Sequence, residues 1–451
     1  MTISKSRLKH ISPIHKVVFS FLLLIFSGTF ILMLPGSTIS GISFIDALFT
    51  STSSVCVTGL IVLDTAKDFT LPGQIVILCL IQLGGLGIMT VSIALLSFMG
   101  NSLSIKWRFT FRSIYDNVNP LPVRGTLRNI LLYTFSIEII TAILLFSRFI
   151  REFSFKEAVR HSVFHAVSAF CNAGFSTFSN NLEGYRNDAS VLLTVSFAVI
   201  LGGLGFIVLS ELFTLRSRGF KGFFRGFSLH TKLVLITTAI LLAAGTISIF
   251  ILEQGHAFKD FTVGSRLLTS FFHSVTCRTA GFNTINISSL RESTLFTMIA
   301  LMFVGGSPGS IAGGIKTTTL AAIFGLVYAR ITGHHQVVFR GRALDRDTVD
   351  RSTTLIIMSG LFIYLSTFLL LFLHSFDIDH TFLSGLFEIT SAFSTVGLST
   401  GVTSTLSNEG KALISLVMFT GRLGPLLLIT ALNVNRKDIN YQYAEDSIMI
   451  G

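Results

Sequence analysis

The chain has 451 residues, of which 50% are hydrophobic and only 13% charged. That balance excludes a water-soluble globular protein of this length and calls for many membrane spans. The net charge of +11 reads as membrane topology rather than nucleic-acid binding, because the basic residues lie in short links between apolar segments.

Lys5, Arg7, Lys9 and Lys16 precede an apolar run from Val17 to Leu34. A basic start before an apolar run also describes a signal peptide. This run has the length of a full span, and Pro35-Gly36 follows it instead of a small-residue cleavage site. It reads as a first transmembrane helix. Phe44 to Thr52 is too short to cross. The stretch Val57-Thr58-Gly59-Leu60 comes next, then a polar connection with Asp64, Lys67 and Asp68, and Ile75 to Met99 crosses back. The unit is span, half-helix, tight loop, span, with both ends on one side of the membrane.

The same unit recurs. Leu127 to Phe149, Val163 to Ala169 and Val191 to Leu215 form the second copy. Leu233 to Leu252, Leu267 to Thr276 and Leu295 to Arg330 form the third, and Leu355 to Leu373, Phe382 to Ala392 and Ala412 to Leu432 the fourth. Ala173-Gly174-Phe175, Ala280-Gly281-Phe282 and Val396-Gly397-Leu398 match the first loop, with steps of 115, 107 and 116 residues from Gly59 onward. Phe49, Phe164, Phe271 and Phe387 each stand ten residues before their glycine. A long fixed period with a shared local pattern is a repeat architecture. The expected fold is an all-α polytopic membrane protein of four tandem span–pore-helix–span repeats around a pseudo-four-fold central pore. The repeats occupy residues 1–100, 101–216, 217–332 and 333–435, followed by a tail at 436–451. Basic residues crowd the inter-unit links, from Lys106 to Arg128, Arg216 to Lys232 and Arg330 to Arg351. Acids such as Asp64, Asp68, Glu183, Asp188 and Glu409 sit on the other side. The positive-inside rule puts both termini in the cytoplasm and the glycine loops near the outer face.

Irregular backbone at membrane depth is tolerated only where protein covers it or it lines a watery cavity. Four such loops around an axis would present carbonyls to one centre, and a ring of carbonyls can replace the water shell of a potassium ion. The half-helices aim their negative C-terminal ends at the same place, which favours a cation. The candidate filter is Val57, Thr58 and Gly59; Asn172, Ala173 and Gly174; Thr279, Ala280 and Gly281; and Thr395, Val396 and Gly397. The competing reading makes each glycine a helix cap.

The third unit departs from the others. Its return span carries Gly305-Gly306-Ser307-Pro308-Gly309-Ser310-Ile311-Ala312-Gly313-Gly314 and then Lys316. No straight helix runs through so many glycines and a proline, so two half-helices joined by an intramembrane loop are expected, with the loop as a gate. A glycine seam for close helix packing is the alternative. The other return spans hold shorter clusters at Gly84, Gly202 and Gly421, and the offsets from the loop glycines are 25, 28, 24 and 24 residues in chain order. Arg422 is a charge deep in an apolar span and should face a cavity or a partner, either repelling cations or hydrogen-bonding the glycine-rich loop. Lys316 lies near the same level. Arg278 is expected to brace the backbone of its own filter, Glu138 to pair with a basic group or face a subunit contact, and His165 and His273 to pack. Cys56, Cys79, Cys171 and Cys277 show no metal or disulfide spacing and read as buried free thiols.

The four span–pore–span units, the single filter glycines and the glycine-rich third return span resemble the TrkH/KtrB/HKT superfamily of potassium-translocating membrane subunits, over essentially the whole chain. Without extra N-terminal spans the chain is more similar to the KtrB-like members. The resemblance implies potassium translocation through a carbonyl-lined filter, with potassium selectivity because Gly59 is glycine. It maps the family's intramembrane gate onto Gly305–Gly314 and the arginine below the filter onto Arg422. It also implies a homodimer in a bacterial cell membrane, seated on a cytoplasmic KtrA-like octameric ring that binds ATP, ADP or cyclic di-AMP. That ring would meet the links around Arg216–Arg225 and Arg340–Arg351, and the tail ending Ser447-Ile448-Met449-Ile450-Gly451 would enter the dimer interface. A second class, the cation-coupled secondary transporter, also uses broken helices near the midplane, but the interior acids here are few, Glu138 and Glu388. An intramembrane enzyme finds no paired aspartates or nucleophile–base spacing, and the chain has no ATP-binding loop of its own.

Overall fold

A computed structural model of the chain describes residues 13–87, 123–215, 226–339, 341–373 and 381–424. The expected end of the first return span at Met99, the Arg216–Arg225 link, Arg340, the last part of the fourth return span with Pro425, and the tail lie outside these residues.

The first unit holds α1 (Pro13–Leu32), α2 (Phe44–Val55) and α3 (Leu71–Gly85); the second holds α4 (Val123–Phe149), α5 (Phe155–Phe170), α6 (Ala189–Leu204) and α7 (Phe206–Leu215). The third holds α8 (Leu229–Glu253), α9 (Val263–Thr276), α10 (Glu292–Phe303) and α11 (Thr317–Ile331). A two-residue hairpin, β1 (Val338–Phe339) with β2 (Arg342–Ala343), leads to the fourth: α12 (Arg346–Leu373), α13 (Phe382–Phe393), α14 (Val402–Thr405) and α15 (Asn408–Leu423). Three described helices, at 128–149, Leu229–Glu253 and Arg346–Leu373, are long and apolar enough to cross a membrane. Their outward faces carry exposed Ile139, Ile240, Phe368 and Phe372, which water would not tolerate in such density.

Each short helix, α2, α5, α9 and α13, packs on the long helix before it and on a return helix of its neighbour. The return helices α3, α6, α10 and α15 contact α5, α9, α13 and α2 respectively. The last contact joins the fourth unit to the first and closes the circle. The core follows this closure. Its four main clusters each span a boundary between adjacent units, the second also taking in Ile311 of the third unit's loop; Phe49, Phe164 and Phe387 fall one into each of three, and half-buried Phe271 packs against the other. The phenylalanine that recurs ten residues before each glycine is therefore the packing residue of a unit boundary.

The short helices begin at hydroxyl caps. Ser43, Thr262 and Thr381 accept from the backbone N–H groups of Asp46, Ser265 and Ser384, and Glu157 accepts the Ser154 N–H at 3.2 Å and its hydroxyl at 2.7 Å. Such caps satisfy donors that the first turn leaves open. They correct two boundaries: the second and third short helices start at Phe155 and Val263, not Val163 and Leu267. Their first turns are polar, so an apolar run underestimates them.

The second return span is also not one helix. It breaks after Leu204 and turns by 104° into α7. Gly205 sits at φ 89 and ψ 151, a region essentially restricted to glycine. The break seats it against the third unit's loop, where a Cβ would come under 3.0 Å from the Pro308 carbonyl oxygen. The first and fourth return helices stop at Gly85 and Leu423 in the same part of their units. Gly205→Ala is expected to destabilise the protein more than Gly36→Ala. Gly36 has φ 99 but open space around it. Both variants bear the backbone strain of about 1–2 kcal/mol, and only the first adds a backbone clash. Melting temperatures of the two variants in detergent check this; equal values would contradict it.

Candidate functional site

The first, second and fourth short helices end alike. In α2 the N–H of Val57 donates to Ser54 O at 3.1 Å and that of Thr58 to Ser53 O at 2.8 Å. Asn172 and Ala173 repeat the pair on Ala169 and Ser168, and Thr395 and Val396 on Ala392 and Ser391. This is a Schellman closure, with Val57, Asn172 and Thr395 at φ 55, 57 and 50. Thr279 has φ 70 in the third unit, where the Ala280 N–H donates to Thr276 O instead. The left-handed residue that caps each helix is thus two positions before the glycine. The glycines are not the caps.

Their role lies across the units. A Cβ on Gly59 would come under 3.0 Å from the carbonyl oxygen of Ala173. Gly174 stands in the same relation to Ala280, Gly281 to Val396 and Gly397 to Thr58. The four loops therefore meet in a closed ring, in chain order, with glycine Cα against the neighbour's carbonyl at every step. The four glycines meet there with the carbonyls of Thr58, Ala173, Ala280 and Val396, and all twelve residues of the expected filter are buried.

A residue that repeat reading could have found, and did not, is the serine six positions before the glycine. Ser53 accepts the Gly59 N–H at 3.1 Å and donates to Leu60 O at 2.7 Å. Ser168 donates to Phe175 O at 2.7 Å, and Ser391 accepts the Gly397 N–H at 3.1 Å. Val275 holds this position in the third unit. The signal was the shared offset. Behind the ring, buried His165 bonds Ser176 Oγ at 2.9 Å and His273 bonds Thr284 Oγ1 at 3.1 Å, in keeping with their packing assignment. Glu388 accepts from Ser399 Oγ, Thr400 N–H and Oγ1, and Thr403 Oγ1, so this interior acid holds the segment after the fourth glycine.

The Gly305–Gly314 stretch is a loop between α10 and α11, as its composition predicts. It lies against the bases of the third and fourth ring loops: Gly305 faces the Thr279 methyl and Gly313 the Ser394 carbonyl. Ser307 N–H donates to Gly203 O at 3.0 Å and Phe206 N–H to Gly309 O at 3.1 Å, which docks the loop on the break of the second return span. Pro308 and Ser310 lie on this docked side, Gly306 O accepts from Thr317 N–H at 3.1 Å, and Gly314 has φ 66.

Three cations hold loop carbonyls. Arg422 donates to Ile311 O and, at 2.6 Å, to Gly84 O at the end of α3. Lys316 Nζ donates to Ala312 O at 2.7 Å. Arg278 donates to Gly305 O at 3.1 Å, which corrects its assignment: it braces the loop and not its own filter. The shorter glycine clusters are seams. A Cβ on Gly84, Gly202 or Gly421 would strike the carbonyl of Val55, Phe170 or Phe393, the last residues of the short helices.

Buried Glu138 lies beside Cys171 Sγ, 3.9 Å away; of its two expected roles, the ion pair with a basic side chain is absent among the described residues. Cys56, Cys171 and Cys277 are buried thiols, but Cys79 is exposed.

A closed ring of buried backbone loops inside a set of long apolar helices defines the architecture of a membrane protein. The family model described as TrkH, cation transport protein, matches residues 4–441, and the chain belongs to that family. It is a multi-pass membrane cation transporter. Over 456 residues it is 36% identical to the Ktr system potassium uptake protein B of Bacillus subtilis, covering 100% of both chains. It is 35% identical to the protein of the same name from Vibrio alginolyticus, over 96% of this chain and 94% of that one. Identity to the potassium/sodium uptake protein NtpJ of Enterococcus hirae is 36%, over 100% of both. The fold matches the potassium transporter TrkH of Vibrio parahaemolyticus with a TM-score of 0.75 at 18% identity, over 96% of this chain and 86% of that one.

Ser53→Ala is expected to cost about 1–3 kcal/mol, because it strands a buried N–H and a buried carbonyl. Denaturation in detergent should show the loss, with Ser54→Ala, which gives up only a bond to Thr50 O within its own helix, as the milder comparison. Equal losses would remove the brace assignment.

Proposed function

We propose that the chain carries potassium ions across a bacterial cell membrane through the ring of Gly59, Gly174, Gly281 and Gly397. The observation that carries this is the closed backbone ring, in which each glycine Cα faces a neighbouring carbonyl. Carbonyl oxygens from four loops can replace an ion's hydration shell, and the converging C-terminal ends of four helices favour a cation there. The names of the relatives point to the same ion. The four units serve as the domains, residues 1–100, 101–216, 217–332 and 333–435, with the tail at 436–451, and both termini lie in the cytoplasm.

The Gly305–Gly314 loop acts as the gate below the ring. Arg422, Arg278 and Lys316 hold its carbonyls and so hold one arrangement of it. In the Ktr-type reading the chain works as a homodimer with a KtrA-like cytoplasmic ring. Nucleotide, whether ATP, ADP or cyclic di-AMP, acts through that partner and not through this chain.

Replacing Gly59 by serine puts a Cβ against the Ala173 carbonyl at φ 93. The ring must widen or distort, so the sodium-to-potassium permeability ratio in proteoliposome flux should rise by about tenfold, the worth of about 1.4 kcal/mol. An unchanged ratio in folded protein would sink the filter assignment. Arg422→Ala releases two carbonyl bonds and should raise the rate of potassium uptake several-fold. Equal or slower uptake by well-folded protein would make the arginine a packing residue.

A further inference from the structure

A groove of about 770 Å³ runs between α8 and α11, and β1 also lines it. Its two walls differ along their length. From Leu241 and Leu320 to Leu233 and Phe324 the lining is almost wholly apolar. At the other end, where α8 begins and α11 stops, Lys232, Thr332, His334 and Gln336 line it. No acidic residue is among the described residues that line it, and Asp345 lies beyond the lining, next to Leu344, whose N–H donates to Val337 O. Exposed Arg330 follows Ala329 in this wall, and exposed Arg342 pairs with Phe339 across the hairpin. Gly325 lets that hairpin pack directly on α11, with the Phe339 ring 2.7 Å from the place of a Cβ.

The dimensions suit a lipid chain. Residues 229 to 241 of a helix rise about 18 Å, against about 15 Å for half of a bilayer's hydrocarbon core. The basic end lies at the chain's basic links, which the positive-inside rule puts at the membrane surface. A flat lipid-facing wall would be apolar along its length and indifferent to headgroup. Here the cavity is concave and its charge is confined to one mouth.

We propose that this groove binds one anionic phospholipid from the leaflet on the side of the basic links, its acyl chain along α8 and α11 and its phosphate at Lys232 and His334. α11 leaves the Gly305–Gly314 loop at Thr317, so the bound chain bears on the helix that continues from that loop.

The test uses the full-length protein in phosphatidylcholine vesicles containing a trace of phosphatidylglycerol, or of phosphatidylcholine, with a photoactivatable acyl chain. Peptides covering residues 229–241 and 320–339 should be labelled about fivefold more by the phosphatidylglycerol probe, the worth of about 1 kcal/mol for one basic side chain at an anionic surface. Lys232→Gln together with His334→Gln should bring that labelling down to the phosphatidylcholine level. Ala321→Phe, which fills the groove, should reduce labelling by both probes. Equal labelling by the two probes in the unmodified protein means ordinary boundary lipid and overturns the proposal. So does labelling unchanged by the double substitution. A disulfide between two chains carrying Phe324→Cys, with no labelling of the unmodified protein, would assign the groove to a second copy. Labelling needs no ion flux, so its failure and a failure of the filter assignment are separate results.

Discussion

The structure depends on one close approach, the packing of four glycine Cα atoms against four neighbouring carbonyl oxygens. A side chain at any of the four would push two units apart. The approach requires that each short helix stop at a set depth, and a left-handed residue two positions earlier makes that stop. Non-glycine residues in that conformation cost energy, and in the first, second and fourth units the Schellman bonds offset it. The result leaves the glycine with no capping duty. It is free to be the point of contact between units.

Four hydrophobic clusters, one at each unit boundary, hold the ring closed. Their placement explains why a phenylalanine recurs at a fixed distance from each glycine. A phenylalanine buried at the boundary contributes about 1.5–3 kcal/mol of apolar transfer. Phe49, Phe164 and Phe387 are buried in this way and Phe271 is half-buried, and together they set the spacing of short helices far apart in the chain. Packing at the edge thereby determines geometry at the centre.

Below the ring the symmetry ends. The return helices of the first, second and fourth units use a glycine to seat their own short helix. The third opens into a loop, and the loop's carbonyls are taken up by Arg278, Lys316 and Arg422 from two different units. A buried cation needs partners, and unpaired loop carbonyls need donors. Each deficit is met by the other. What the units share is the ring, and the one place where they differ is the loop held by these cations.

Much of this was open to reading. The fourfold recurrence of the short helix and its glycine, and the third unit's loop, follow from spacing and from the physics of glycine and proline. The polar first turns of α5 and α9 were missed because hydrophobicity marks what is buried, while the hydroxyl that starts a helix is a local hydrogen bond. The break at Gly205 was missed because a glycine in an apolar run does not declare which way the chain turns. That depends on the Pro308 carbonyl, a hundred residues away. Arg278 stands beside Thr279 in the chain, yet its hydrogen bond goes to Gly305.

The sequence alone determined the recurring short helix with its glycine and the glycine-rich stretch that departs from the rest. Those are matters of period and composition. Only the tertiary structure decided which carbonyl each glycine faces, which loop each arginine holds and where the return spans bend. Those are contacts between segments far apart in the chain, and a residue's type states what it can bond without stating what comes within reach.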